Sequence, residues 1–297
     1  MDPTTVAARA ARPGAARAPL THAWMGTDLD RVRRYYSRFD EWQRLESASG
    51  ALEFDRACAV LAEHIRAGAR VLDLGGGPGR YTIELARRGH HMVLADLSAK
   101  LLDVAREKLA QAGVTDNVDG IHEVDARDLA RYRDEQFDAV VAFGPFYHLT
   151  HEWERVAAAR EIWRVLHPGG LMFVSFIPRL SGIAGLVERA ASSPLQVPPG
   201  TFRAASSTGI FRNPTDGGFQ EAYYPTPLEL GALFKATRFT LVDLVSLRSA
   251  ANLLEGALAG IQEPIRSEVQ QVLEEVSRDP AIVATAGHAI LVARKAG

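Results

Sequence analysis

The chain predicts an α/β protein built on a doubly wound, mostly parallel seven-stranded sheet, with a helical lid on its N-terminal side and a cap inserted after the fifth strand. Three observations carry that expectation. From Ala69 onward, short β-favouring apolar runs alternate with segments of helical period. The first run, Val71–Leu74, leads directly into glycines at 75, 76, 77 and 79 and then into a helical segment. The second run ends on Asp96, a carboxylate about 20 residues beyond the first glycine, where a nucleotide-binding βαβ unit keeps its second-strand acid.

Each element follows from local signals. Residues 1–27 are rich in Ala, Arg and Pro, develop no hydrophobic face, and read as a disordered tail rather than an organellar transit peptide. Residues 28–66 read as the helical lid, in two segments broken near Ser47–Gly50. The first places Val32, Tyr35, Tyr36, Phe39 and Trp42 on one face, and the second does the same with Leu52, Phe54, Ala57, Val60 and Leu61. Strand Val71–Leu74 is followed by helix Tyr81–Arg88, which Gly89 ends. Strand Met92–Ala95 precedes helix Ala99–Ala112, capped by Ser98 and stopped by Gly113, with Leu102, Ala105, Leu109 and Ala112 as its buried stripe. Strand Gly120–Val124 comes next. Ala139–Phe143 is almost wholly apolar, as suits a central parallel strand covered on both faces. Helix Glu152–Leu166 is expected to bury Val156, Ala159, Trp163 and Leu166, and a Pro168-Gly169-Gly170 turn leads into strand Leu171–Ile177.

The rhythm then stops. Residues 178–222 are rich in Pro, Gly and Ser and too long for a structureless loop in a compact domain, so they read as an insertion that caps a substrate pocket. The alternation resumes with helix Tyr223–Thr237 (Thr226 as N-cap, Pro227 as first residue), strand Thr240–Leu247, helix Ile261–Val276 and strand His288–Arg294. Residues 67–297 thus form one domain of a size that buries a large core.

Composition narrows the function classes. The 297 residues are 47% hydrophobic and carry a formal net charge of −2, which gives no global field to draw nucleic acid. A single cysteine, Cys58, leaves no internal disulfide to form and fits a reducing, cytoplasmic setting. No apolar run reaches the roughly 18 residues of a membrane span. No His/Cys cluster has metal-ligand spacing, so no metal is expected.

The glycine loop discriminates between ligands. A dinucleotide fingerprint needs a third glycine or alanine five positions after the first. Arg80 and Thr82 occupy that place from the two possible starts. A P-loop needs Gly-Lys-Ser/Thr, and Gly79-Arg80-Tyr81 is not that. Asp73 stands two residues before the first glycine, where it suits an ammonium group and opposes a pyrophosphate.

VLDLGGGPG (Val71–Gly79), HMVLAD (His91–Asp96), HEVDARDL (His122–Leu129), FDAVVAFGPFYHL (Phe137–Leu149) and RVLHPGGLMFVSF (Arg164–Phe176) together resemble the motifs of the class I S-adenosylmethionine-dependent methyltransferases, from about Ala67 to the C-terminus. The resemblance implies a Rossmann-like sheet and S-adenosyl-L-methionine as cofactor. It implies that Gly75, Gly76, Gly77 and Gly79 shape the cofactor loop, with Asp73 at the methionine ammonium. Asp96, with Leu97 beside it, would hold the ribose. Asp125 would meet the adenine amino group and the Ala126 amide the ring. Phe143 would border the cofactor at the end of the fourth strand, and Tyr36 would cover it from the lid.

Methyl transfer is an in-line displacement, so the protein's work is to position donor and acceptor and to manage the acceptor's proton. His148 is the candidate general base, because imidazole titrates near neutral pH, and Tyr147 is the second catalytic candidate and a substrate wall. Gly144-Pro145-Phe146-Tyr147 lacks the leading Asn/Asp of nucleobase amino-methyltransferases, which speaks against exocyclic-amine methylation of nucleic acid. Arg179, Arg203 and Arg212, with Tyr223, are candidates for an anion clamp on the acceptor. The expectation is a methyltransferase acting on O, N or C of a small molecule. A protein or RNA methyltransferase, a non-catalytic cofactor-binding module and, more distantly, an aminopropyltransferase are the alternatives.

Overall fold

A computed structural model describes residues 26–215, 217–248 and 260–297. Its centre is a seven-stranded sheet, with strands β1 (Arg70–Leu74), β2 (His91–Asp96), β3 (Val118–Glu123), β4 (Phe137–Ala142), β5 (Leu166–Phe176), β8 (Phe239–Ser246) and β9 (Ala289–Lys295). The order is β3-β2-β1-β4-β5-β9-β8, and every pairing is parallel except the two that β9 makes. Val71, Leu72, Ala139, Val140 and Val141 are buried on both faces of the sheet, and each such side chain removed from water contributes about 1.5–3 kcal/mol.

Helices α4 (Arg80–Arg87), α5 (Ala99–Ala112), α7 (Glu152–Val165) and α10 (Pro227–Ala236) cover the two faces. The capping chemistry read from the sequence sets their ends. Ser98 accepts from the Leu101 amide, Gly113 closes α5 in the left-handed conformation, and Thr226 forms a capping box with Glu229 behind Pro227. Helix α7 departs from expectation. Its buried residues are Glu154, Arg155, Ala158, Ala159, Ile162 and Val165, whereas Trp163 and Val156 are half-buried. The face is turned because Glu154 and Arg155 have buried polar partners, which an apolar stripe does not reveal. Gly169, in the expected Pro-Gly-Gly turn, has φ +77° and lies within β5, where the pairing with β4 shifts register.

The N-terminal region is three helices rather than two: α1 (Leu29–Tyr36), α2 (Glu41–Arg44) and α3 (Ala48–His64). Ser47 caps α3, which opens inside the expected break at Ser47–Gly50, and Asp40 starts the unexpected α2 by accepting from the Gln43 amide. The expected 1–27 tail falls outside the described residues up to residue 25.

The insertion is not an irregular loop. It contains α8 (Arg179–Ser192), α9 (Thr201–Thr208) and a hairpin of β6 (Ile210–Arg212) with β7 (Glu221–Tyr223). Leu186, Ala205, Phe211, Ala222 and Tyr224 form its small core. Gly182 makes that packing feasible, since a Cβ there would sit 2.3 Å from the Tyr224 ring. Tyr223 therefore ends a strand instead of opening a helix, because Ile210 pairs with it across the hairpin. Among the described residues, no helix is long and apolar enough to cross a membrane.

Candidate functional site

The sheet reverses direction of winding at β1, which has β2 on one side and β4 on the other. Such a switch point opens a crevice at the carboxyl ends of the strands. Here it is a cleft with about 1020 Å³ of empty space, counted with the solvent at its mouth. The loops after β1, β2, β3 and β4 form its floor and walls, and α1 and α2 form its roof. Tyr36, Asp73, Gly75, Gly76, Gly77, Asp96, Leu97, Asp125, Ala126, Phe143, Tyr147 and His148 all line it.

The glycine loop owes its shape to close approaches. A Cβ on Gly76 would lie 2.3 Å from Leu94 Cδ1 and 2.5 Å from the Asp73 carboxyl, and Gly75, at φ +74°, abuts the Pro145 ring. The loop's amides are committed inside the protein. Gly75 and Gly76 donate to Ala95 O, Gly77 donates to Asp96 Oδ2 at 2.9 Å, and Gly79 donates to Gly76 O. These four positions keep no spare N–H for an anion. Behind them lies Asp73, 1% exposed. Its Oδ2 accepts from Thr82 Oγ1 at 2.6 Å, and its Oδ1 has no hydrogen-bond partner among the described residues. Burial pushes this carboxyl up to about 7. An orphaned carboxylate oxygen beside a loop without free donors suits a cationic group and rejects a phosphate.

Asp96 ties the loops together. Oδ2 accepts from Gly77 and Oδ1 from the Ser98 amide at 2.8 Å. Burial raises it to about 6, against the pull of those amides. Each oxygen keeps a lone pair for a ligand hydroxyl. Asp125 borders the cleft, but its carboxylate is forked by Arg127, whose Nη2 stands 2.6 Å from Oδ2.

The opposite wall is aromatic. Tyr36 Oη lies 2.7 Å from His148 Nε2, with the two rings edge-on at 5.4 Å. Tyr147 packs beside His148 at 4.7 Å and Phe219, from the insertion, at 5.2 Å. His148 is 8% exposed, and burial depresses its pKa to about 4, with the Glu221 main chain pulling weakly the other way. The expectation of a base titrating near neutrality is thus corrected: the ring is neutral throughout the ordinary pH range. Burial also holds the Tyr36 and Tyr147 hydroxyls well above their usual value, so both stay protonated.

Five expected site residues are not brought to the cleft. Gly79 faces the core, where a Cβ would meet Ala105 at 3.5 Å. Arg179 bonds Tyr224 O at 3.1 Å and Glu229 at 2.5 Å, strapping α8 to α10. Arg203 is exposed on α9, and Arg212 reaches His151 Nε2 at 3.0 Å. Tyr223 is buried under the Arg155 guanidinium, 3.6 Å from its ring centroid. Conversely, sequence reasoning passed over Glu41 and Arg44, which line the cleft and pair at 2.6 Å. Arg44 also meets Glu53, buried with His288 and Arg248 on its carboxylate. Only the Glu41–Arg44 spacing carried a local signal, since Glu53 finds His288 and Arg248 far along the chain.

Among the described residues, Glu63, His64 and Asp243 have ligand atoms close enough to share a metal. Arg278 donates to both carboxylates, at 2.6 and 2.8 Å, so a guanidinium already supplies the positive charge there.

Residues 71–170 match the family model described as a methyltransferase domain. The tRNA 5-carboxymethoxyuridine methyltransferase of Escherichia coli K12 is 37% identical over 119 residues, 39% of this chain and 43% of that protein. The ubiquinone/menaquinone biosynthesis C-methyltransferase UbiE of Pseudomonas paraeruginosa is 41% identical over 114 residues, 37% of this chain and 42% of that one. The chain therefore spans less than half the length of these curated relatives. Among solved structures, a Pyrococcus horikoshii protein superposes with a TM-score of 0.60 at 17% identity, over 89% of this chain and 99% of that one. The Burkholderia thailandensis 1,6-didemethyltoxoflavin-N1-methyltransferase, solved with 1,6-didemethyltoxoflavin and S-adenosylhomocysteine bound, superposes with a TM-score of 0.55 at 20% identity, over 91% and 87%. At these identities the structural likenesses establish the common fold.

Proposed function

We propose, from the methyltransferase-domain match at residues 71–170, that the chain is a class I S-adenosylmethionine-dependent methyltransferase that methylates a small, flat acceptor held against Tyr147 and His148. The cofactor fits the residues present. The orphaned Asp73 Oδ1 matches an ammonium group, Asp96 keeps lone pairs for ribose hydroxyls, and the amide-poor glycine loop has no use for a phosphate. When bound, S-adenosylmethionine supplies a methyl carbon already activated by its sulfonium.

The chain's residues then have two tasks. The first is positioning: Asp73, Asp96, the loop of residues 125–126, Phe143 and Tyr36 would border the cofactor, while Tyr147 and His148 would enclose the acceptor. The second is the proton. A neutral imidazole whose pKa is near 4 does not deprotonate a resting hydroxyl or amine. It accepts a proton only as the new bond to carbon makes that proton acidic. Nε2 holds the ring's one lone pair and the Tyr36 hydroxyl donates to it, so the proton moves by relay: Tyr36 passes its own proton to Nε2 and takes the acceptor's in its place.

The observation that carries the small-molecule reading is the 2.7 Å contact between Tyr36 and His148, which roofs the site instead of leaving a trough beside the histidine. The likeness to the tRNA enzyme covers 43% of that protein, so it gives no independent support to an RNA acceptor. The test is S-adenosylhomocysteine release from S-adenosylmethionine with a panel of small phenolic and heteroaromatic acceptors, run beside bulk tRNA and a protein mixture. Turnover with small acceptors alone is expected. Methylation of tRNA or protein overturns the acceptor class, and failure to bind S-adenosylhomocysteine overturns the assignment.

A further inference from the structure

We propose that Glu154 is a positioning residue: its buried carboxylate seats the start of α1, the His148 loop and the Asp125 loop as one unit, so that docking of the lid and binding of the cofactor are coupled. The inference rests on the cofactor reading above.

Glu154 stands in the first turn of α7 and is 0% exposed. Its two oxygens accept four hydrogen bonds from three separate stretches of chain. Oε1 takes the Thr27 amide at 2.8 Å and Arg127 Nη1 at 2.5 Å, while Oε2 takes the Thr27 hydroxyl at 2.6 Å and the His151 amide at 3.1 Å. A capping box accounts for the last of these. The other three reach residues that start no part of α7.

Each partner leads to the cleft. Arg127 forks the carboxylate of Asp125. Thr27 Oγ1 accepts from the Thr150 amide at 3.0 Å, two residues beyond His148. One residue after Thr27, Asp28 caps α1, which carries Leu29, Val32, Arg33 and Tyr36 to the roof. The chain is pressed onto the carboxylate at Gly26, where a Cβ would lie 2.5 Å from Glu154 Oε1.

A carboxylate shut away from water must have its lone pairs filled, and removing one partner strands a buried charge. Unseating Thr27 therefore burdens the bond to Arg127, and through it the position of Asp125. Coupling of this kind is reciprocal, so a ligand that holds Asp125 in place favours the seated lid.

Thr27→Val removes the hydroxyl at constant shape, and Thr27→Ser keeps it. S-adenosylhomocysteine dissociation is timed on the full chain, and amide exchange over residues 29–36 is followed with and without that ligand. In the wild type and Thr27→Ser, the ligand should slow exchange over α1. In Thr27→Val the protection should largely vanish and the dissociation rate should rise about tenfold, the effect of losing a hydrogen bond to a charged group. Glu154→Gln should move both readouts the same way. The coupling is overturned if Thr27→Val releases the ligand at the wild-type rate, or if the ligand leaves exchange over α1 unchanged. A wild-type chain that does not bind S-adenosylhomocysteine sinks the cofactor reading itself and the coupling with it, a result distinct from binding with unaltered rates.

Discussion

Burial moves the carboxyl of Asp73 up to about 7 and the imidazole of His148 down to about 4, because both sites disfavour charge. The two shifts separate in experiment. An ammonium group needs Asp73 ionised, so S-adenosylhomocysteine affinity, measured by calorimetry, should be constant above pH 8. It should weaken below pH 7, with a slope approaching tenfold per pH unit. Asp73→Asn should bind weakly at every pH and remove that slope. His148 behaves otherwise. With cofactor and acceptor both saturating, turnover should stay level from pH 8 to pH 5.5, without the inflection near 6.5 of an exposed histidine. His148→Ala should lower kcat by roughly 10²-fold if the ring takes the acceptor's proton. A pH-dependent kcat centred near 6.5 would contradict the buried neutral ring. The sequence disclosed which residues meet here, since VLDLGGGPG and GPFYHL are local patterns. It could not disclose their charge states, which depend on what α1 lays over them.

At the scale of elements, the insertion teaches the opposite lesson. Its Pro, Gly and Ser content hid two helices and a hairpin, because α8 is held by tertiary contacts such as Gly182 under Tyr224 rather than by propensity. The same context redirected its arginines. Arg179 straps α8 to the turn before α10, with its side chain 13% exposed, whereas Arg203 stands in solvent. Arg203→Ala and Arg212→Ala should therefore leave the acceptor KM within about twofold, surface substitutions being close to neutral. Arg179→Ala should cost about 1 kcal/mol or less of stability in a denaturant titration, because Glu229, 42% exposed, regains water when its partner goes. A marked KM effect from Arg203→Ala would restore the anion clamp. Phe219 is the insertion residue that does reach the aromatic wall. Nothing in its local sequence set it apart from Phe202 or Phe211.

At the scale of the whole molecule, the seven-stranded, mostly parallel sheet and the glycine loop were legible because parallel βα repeats advertise themselves by period and punctuation. The roof was not, because α1 and α2 meet the sheet edge only through long-range contacts such as Thr27 to Glu154 and Tyr36 to His148. The methyltransferase-domain match at residues 71–170 falls on that legible part. The apo fold carries a corresponding strain. Asp73 and Asp96 have folded pKa values above their unfolded ones, so the native state holds more protons than the unfolded chain between about pH 4 and 7. Their contribution to stability falls as pH rises through that window. His148, depressed from 6.5, works the other way, its contribution growing as pH rises from about 4 to 6.5. Above pH 6.5 only the carboxyls still change, so the apo melting temperature should decline from pH 6.5 to 8. Asp73→Asn should flatten that decline. S-adenosylhomocysteine at 100 times its Kd should add about 2.7 kcal/mol, or roughly 4 °C for a chain of this size. At one fixed ligand concentration the gain should be larger at pH 8 than at pH 5.5, because at the higher pH the ligand's ammonium meets an ionised Asp73 that the apo protein leaves without a partner. Equal gains at both pH values would show that this carboxyl does not face the ligand.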